Sequence, residues 1–223
     1  NYLQQTFRYP TEFTTLLYAS QMLQAEAIKY GVEHFRRNRG RCMGAIYWQL
    51  NDCWPVASWA SVDYEGRWKA LHYYAKRFFA PVMVSCEEQN WMTAEANMNR
   101  EHFEYEKSIR LNVTNETLEE KKILVKWALR NADASAVKAE EREVTVPALS
   151  SVWLDKEEYP DVDVFSQYVS YEAWDGDTCI SEGSAIFSYP KYFRYLDTQL
   201  SYRIEGDEIV VSAKAVSYTH LRA

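Results

Sequence analysis

The stretch "GAIYWQLNDCWP", residues 44–55, decides how the first part of this 223-residue chain is read. It opens on apolar residues and closes on two tryptophans, two amides and a carboxylate. The run "CMGAIYWQL" (42–50) is apolar continuously rather than alternately, which predicts a strand buried on both faces, as in a parallel sheet. Before it, Leu16, Ser20, Leu23, Ala27, Tyr30 and His34 recur at three- and four-residue steps, one face of a long helix. Thr11 and Thr14 are candidate caps after Pro10, and Gly40 is a candidate stop. After it comes a loop rich in Pro, Ser and Asp, up to "DYEG". Trp68, Leu71, Ala75 and Phe78 then mark a second helix, ended by "FFAP". The expected order is helix, buried strand, long loop, helix.

Beyond Pro81 the period changes to two. "KSIRLNVTN" (107–115), "KKILVKWALRN" (121–131), "AVKAEEREVTVPA" (136–148), "FSQYVSYEAWDG" (165–176) and "TCISEGSAIFS" (178–188) read as strands between turns. Such a series predicts an antiparallel β-sandwich of immunoglobulin-like size, ~100 residues. "YLDTQLSYRIEGDEIVVSAKA" (195–215) reads as two further strands about an "EGDE" turn, so 189–216 is expected to begin another β domain. "SYTHLRA" (217–223) breaks the pattern and resembles a translated sequencing adaptor; it is assigned no function.

Composition narrows the function classes. The net charge of −7 disfavours nucleic acid as a partner, because phosphate binding needs clustered cations. The one basic cluster, "RRNRGR" (36–41), is read as a helix end whose cations complement the dipole. Seven glycines argue against a Gly-rich nucleotide fold, while 8 Trp and 17 Tyr suit a protein that stacks on flat rings. Cysteines 42, 53, 86 and 179 have no zinc-site spacing and are expected to be buried free thiols. No apolar run is long enough for a bilayer, so no membrane partner is expected. The chain opens without Met or a signal peptide, which says little about compartment; an intracellular place is favoured. The sequons at Asn112 and Asn115 are read as chance.

A buried parallel strand, a long loop and a helix make a βα unit, and in barrels of such units function sits at the C-terminal strand ends. Here that end carries Trp48, Gln49, Asn51, Asp52 and Trp54. Trp48 offers a flat face to a pyranose ring, and Gln49, Asn51 and Asp52 offer partners for hydroxyls. No His stands beside these groups to complete a metal site. The residues alone leave a second reading open. A Trp can be lid packing, and Asn-Asp before Pro can cap a loop.

The run from Leu23 to Val82, above all "YWQLNDCWP" and "GRWKALHYYAKR", closely resembles the exo-acting β-mannosidases of glycoside hydrolase family 2. The resemblance implies that residues 1–80 are the last part of a (β/α)8 TIM barrel. In it, 20–37 would be the seventh helix, 42–50 the eighth strand and 67–79 the eighth helix. Residues 81–188 would be the following immunoglobulin-like sandwich. It implies a retaining hydrolase that removes terminal β-D-mannose from oligosaccharides, with no cofactor and no metal. It places Trp48 in the wall of the terminal-sugar subsite. Asn51, Asp52 and Trp54 join as substrate-binding candidates from their place on the same rim.

Retaining chemistry needs two carboxyl groups ~5–5.5 Å apart. In the family these are glutamates at the ends of the fourth and seventh strands, which would precede residue 1. No catalytic residue is therefore assigned in this chain, and by itself it is expected to be inactive. Asn115-Glu116 lies in the sandwich, and Asp52, Asp63 and Glu65 are not read as substitutes. Part of a barrel leaves an open sheet edge, so residues 1–80 are expected to be poorly stable alone. The alternative is a non-catalytic carbohydrate-binding or scaffolding sandwich that uses Trp127, Trp153 or Trp174, although their strand-like setting favours core.

Overall fold

The computed structural model describes residues 2–94 and 104–213. The reading of 217–223 lies outside the described residues. A helical layer comes first: α1 (Tyr2–Thr6), α2 (Phe13–Arg37) and α3 (Ala70–Phe78). Seven strands follow: β1 (Val82–Glu87), β2 (Ser108–Asn115), β3 (Lys121–Asn131), β4 (Ala136–Val146), β5 (Ser150–Glu158), β6 (Gln167–Asp175) and β7 (Thr178–Ile186). A hairpin of β8 (Ser201–Glu205) and β9 (Glu208–Ser212) closes the described chain.

α2 starts earlier than its apolar face suggests. Its N-cap position is Glu12, whose backbone is extended and whose side chain makes no cap bond, so neither Thr11 nor Thr14 caps it. At its other end the Asn38 Nδ2 donates to the His34 carbonyl at 2.8 Å, and Gly40 takes φ +97° in the turn beyond. α2 and α3 pack through Ala25, Val32, Leu71, Tyr74, Ala75 and Phe78. The Tyr74 hydroxyl adds a 2.7 Å hydrogen bond to Glu26 Oε1.

The expected strand at 42–50 has no pairing partner among the described residues. The segment forms no ladder; Asn51 alone makes an isolated parallel bridge, to Val62. Ala45 and Tyr47 pack on the helical core, whereas Ile46 is 99% and Trp48 72% exposed. The physical reason is that a strand is a property of a pair. Continuous apolarity prepares both faces for burial, but only neighbouring strands satisfy the backbone. Among the described residues no parallel sheet surrounds this segment, so the barrel stays an expectation.

The sandwich follows the sequence closely. One sheet has the order β1-β2-β5 and the other β4-β3-β6-β7, with every pairing antiparallel. Their inner faces interdigitate: Val84, Ile109, Leu111 and Val113 meet Ile123, Val125, Val169 and Ala173 in one core. Two strands lacked a period-two signal. β1 is almost entirely buried, and β5 ends in charged residues. Gly183 pairs with Tyr171 across β6–β7, and a Cβ there would lie 2.5 Å from the tyrosine ring. That close approach is why the strand carries a glycine.

The basic run 36–41 is not a solvated helix end. Arg36 and Arg37 are buried. Arg36 Nη1 donates to the Phe78 carbonyl at 2.7 Å, and Arg37 Nη1 to the Cys86 carbonyl at 3.3 Å. Arg39 Nε donates to the Leu149 carbonyl at 2.5 Å. Planar guanidinium groups with several donors each can collect such acceptors, so the run fastens the helical layer to the sandwich. Of the cysteines, all are free, but Cys86 alone is buried; Cys53 and Cys179 are exposed because their neighbours place them at a loop and a strand edge. Asn112 and Asn115 are fully buried, and Asn115 Nδ2 donates to the carbonyls of Glu119, Val146 and Pro147. Neither sequon is presented to solvent.

Candidate functional site

The loop 51–69 is a folded unit whose backbone returns on the extended segment. Asp52 N donates to Val62 O at 3.2 Å, and Val62 N to Leu50 O at 2.8 Å. Gln24 Nε2 on α2 donates to the Trp59 carbonyl at 2.7 Å, which ties the loop tip to the helical layer. The result is a rim on which Trp48, Trp54, Trp59 and Trp68 are all exposed. Large aromatic faces left in water are costly unless something covers them.

The four candidates differ in setting. Trp48 stands open on the rim, and its peptide bond to Gln49 is cis. Trp54 is also open, and Asn51 is exposed, with its Nδ2 on the Asp52 carbonyl at 3.2 Å. Asp52 is buried. Its oxygens accept from the Ser58 hydroxyl at 2.7 and 2.8 Å, and Lys69 Nζ lies 3.5 Å away. Its carboxylate is thus engaged by the loop itself, which is the capping chemistry that "NDCWP" also allows.

Asp63 and Glu65 lie in a turn. Asp63 Oδ1 accepts the backbone N–H groups of Glu65 and Arg67, and its Oδ2 accepts Arg67 Nε at 2.6 Å. Hydrogen bonds from Arg67, backbone first, hold this carboxyl below its usual range. Glu65 lies 3.3 Å from the same guanidinium. Among the described residues no cluster of His, Cys, Asp or Glu could hold a metal ion, and no helix is long and apolar enough to cross a membrane.

The sandwich tryptophans are not open platforms. Trp127 is 5% exposed and belongs to the core. The Arg110 guanidinium sits 4.7 Å over the Trp153 ring, and Lys126 Nζ 4.8 Å over Trp174. Cation–π contacts of this kind take one face of each of these two rings.

One residue escaped the sequence reading. Ser61 is fully buried, and its hydroxyl lies 2.9 Å from Leu50 O, 3.0 Å from the Tyr47 hydroxyl and 3.1 Å from His72 Nδ1. No motif flags a serine in "SWASVD". Its role depends on the loop closing back on the segment, which is a tertiary property.

A second polar feature lies where α2 meets the sandwich. Glu26, Lys29, Glu33 and Glu88 line a cavity of about 40 Å³, with Cys86 and Tyr171 in its wall. Burial pushes the Glu88 carboxyl up to about 7, against a backbone N–H from Asn90 that pulls it down. Its Oε1 has no protein partner. A cavity of this size with polar walls has room for water.

These features define a class first: a helical layer and aromatic rim joined to an antiparallel sandwich that matches the Mannosidase Ig/CBM-like domain over residues 107–192. The chain is homologous to the β-mannosidases of glycoside hydrolase family 2 over part of their length. It is 49% identical over 78 residues to the goat β-mannosidase, covering 32% of this chain and 9% of that protein. It is 41% identical over 100 residues to the mouse β-mannosidase, covering 40% of this chain and 11% of that protein. The solved β-D-mannosidase of Dictyoglomus thermophilum superposes with a TM-score of 0.78 at 25% identity, over 96% of this chain and 25% of that one. The Amycolatopsis orientalis exo-chitosanase superposes at 0.65 with 16% identity, over 96% of this chain and 23% of that one, a likeness of fold alone. The matched region spans about a tenth of the curated relatives.

Proposed function

We propose that this chain is part of a retaining exo-β-mannosidase and supplies one wall of its sugar pocket. The observation that carries this is Trp48, an exposed aromatic face on a rim that the loop 51–69 holds in place. In the proposal, residues 1–80 are the end of a (β/α)8 barrel, with 42–50 as its eighth strand. Ile46, almost fully exposed here, supports it, since neighbouring strands would cover such a side chain. Residues 81–188 are the sandwich behind the barrel, and 189–216 begin a further β domain.

Each candidate takes a role suited to its setting. Trp48 stacks on the apolar face of a terminal β-mannose. Trp54 extends the aromatic flank, and Asn51 offers its amide to a hydroxyl. Asp52 sets the height of the rim through Ser58 and Lys69. Stacking and positioning are catalytic contributions in their own right, because a reactive geometry removes entropy from the barrier.

Bond cleavage needs a nucleophile and an acid/base. Asp52, Asp63 and Glu65 are each engaged by neighbours in the loop. In this reading the catalytic pair comes from outside this chain, and the purified chain should release no p-nitrophenol from p-nitrophenyl β-D-mannoside. Measurable release would overturn that division of labour. The rival reading, a binding module on the sandwich, loses support from the buried Trp127 and from the cation over one face of Trp153 and of Trp174.

A further inference from the structure

We propose that Glu88 is a proton-operated latch on the joint between α2 and the sandwich. Its protonated carboxyl lets the joint close, and opening of the joint releases the proton while both layers stay folded.

Three carboxylates face one small cavity at this joint. Glu26 and Glu33 come from α2 and Glu88 from the segment just after β1, and each is 7% exposed. Cations attend two of them. Lys29 Nζ lies 3.7 Å from Glu26 Oε2, and Arg37 Nη1 lies 3.6 Å from Glu33 Oε2. Glu26 Oε1 also accepts from the Tyr74 hydroxyl on α3 at 2.7 Å. Glu88 has no ion pair among the described residues. Its Oε2 accepts the Asn90 N–H at 2.8 Å, and its Oε1 is unpartnered. Swinging Lys29 across to Glu88 would leave Glu26 without a cation, so the deficit would move but stay. An ionised Glu88 in the closed joint is therefore a buried charge without a counter-ion, which is costly. A proton on Glu88 removes that charge.

The other groups around Glu88 do not supply a cation. Burial holds the phenols of Tyr30 on α2 and Tyr171 on β6 above their ordinary value, and it pushes the Cys86 thiol on β1 up to about 12. Tyr195, near Glu26, is raised by burial in the same way. Glu87, the last residue of β1, adds only negative charge. Arg36 and Arg39 are held at Glu116 and do not line the cavity. Burial accordingly raises Glu88 to about 7, and Glu33 in the same direction.

Geometry decides what yields. The bonds from Arg37 to Cys86 O and from Arg39 to Leu149 O pin α2 to the sandwich at its C-terminal end. Glu33 and Glu26 lie about one and three turns earlier in the same helix. The pinned end is the hinge, and the stretch over the cavity lifts. Lifting becomes more favourable as pH rises from 4.5 toward about 7, because a solvated Glu88 gives up the proton that the closed cavity keeps.

Two measurements on the whole chain test the latch. In ¹³C spectra the Glu88 carboxyl should titrate near 7 rather than near 4.5. Labelling with methyl methanethiosulfonate, mapped by mass spectrometry, reports opening through Cys86, which is buried and lines the same cavity. Dividing the wild-type Cys86 rate by that of Glu88→Gln at the same pH cancels the thiol's own ionisation. This ratio should rise about tenfold between pH 5.5 and 7, the order that linkage to one raised carboxyl gives. The ratios for the exposed Cys53 and Cys179 should stay flat. If Glu88→Gln does not fold, the wild-type Cys86 rate relative to that of Cys53 gives the same test. Urea below the unfolding range should leave the rise unchanged, since local opening exposes little surface. A Glu88 midpoint near 4.5, a flat Cys86 ratio, or a ratio that steepens with urea as global unfolding does would overturn the proposal.

Discussion

Arg39 and Glu116 lock the helical layer to the sandwich: Arg39 Nη1 lies 2.5 Å from Glu116 Oε2, while the same side chain donates from Nε to Leu149 O. Arg36 Nε stands 3.9 Å from the other oxygen of Glu116. Arg37 adds its carbonyl, which accepts from Ser151 Oγ at 3.0 Å. Replacing Arg39 with Ala removes both contacts at a partly exposed interface and leaves Glu116 with Arg36 alone. At this exposure solvent screens the pair, so the loss is about 1 kcal/mol. Thermal unfolding of Arg39→Ala should show a lower midpoint and a helical transition that separates from the sandwich. A single transition at the wild-type temperature would contradict the clamp.

Glu88 gives a pH prediction with a definite sign. Burial raises its carboxyl to about 7 in the folded chain, from an ordinary value of 4.5. The folded state therefore keeps a proton, between these values, that the unfolded state has released. Stability is full below about 4.5 and falls as pH rises through about 7. Each pKa unit is ~1.4 kcal/mol, so the loss is at most a few kcal/mol. Facing charges are Glu26, Lys29, Glu33 and Arg37 on α2 and Glu87 beside it on β1, with Tyr171 opposite. Glu88→Gln mimics the protonated side chain. Denaturant titrations across this range should slope downward for wild type and more gently for the variant. Equal slopes would rule Glu88 out as the source.

Gly183 should tolerate no side chain. A methyl group there would lie 2.5 Å from the ring of Tyr171, which is 2% exposed and has the core behind it. Overpacking of this kind costs ~1–3 kcal/mol. Gly183→Ala should therefore lower the urea midpoint. Gly206, with open space around it but φ +62°, should lose less, since only the backbone penalty applies. A neutral Gly183→Ala would mean that β6 and β7 can part at that pair.

The sandwich was legible because its information is local. Leu124 to Trp174 and Leu129 to Val169 pair across alternating faces that the sequence already displays. β1 was missed because burial on nearly every residue erases alternation. The rim was legible as a list of side chains but not as a circuit. Asp52 looked like an open acceptor, and only the closing of the loop brings Ser58 and Lys69 to it. Arg36 and Arg37 looked like a charged helix end, because nothing local signals that the carbonyls of Phe78 and Cys86 will come to meet them. The segment 42–50 shows the converse: its apolar pattern prepares both faces for burial, but among the described residues no strand pairs with it.

The loop itself offers a direct check. Asp52→Ala removes the acceptor of the Ser58 hydroxyl and leaves Lys69 without its partner 3.5 Å away. Breaking such a buried pair by removing one member is strongly destabilising locally. Hydrogen exchange at Asp52 N and Val62 N, both in the loop's return ladder, should accelerate well beyond that of the sandwich amides. Unchanged protection there would mean that the Asp52 carboxylate does not hold the rim.

The most direct measurement concerns Trp48 in the intact β-mannosidase that the proposal expects to carry this chain. Trp48→Ala removes the stacking face and leaves the Ser61 circuit untouched, since none of its bonds uses the indole. With p-nitrophenyl β-D-mannoside as substrate, kcat/KM should fall by about 10²-fold, the order expected when a sugar loses its reactive position. A kcat/KM equal to wild type would contradict the assignment of this rim to the sugar pocket.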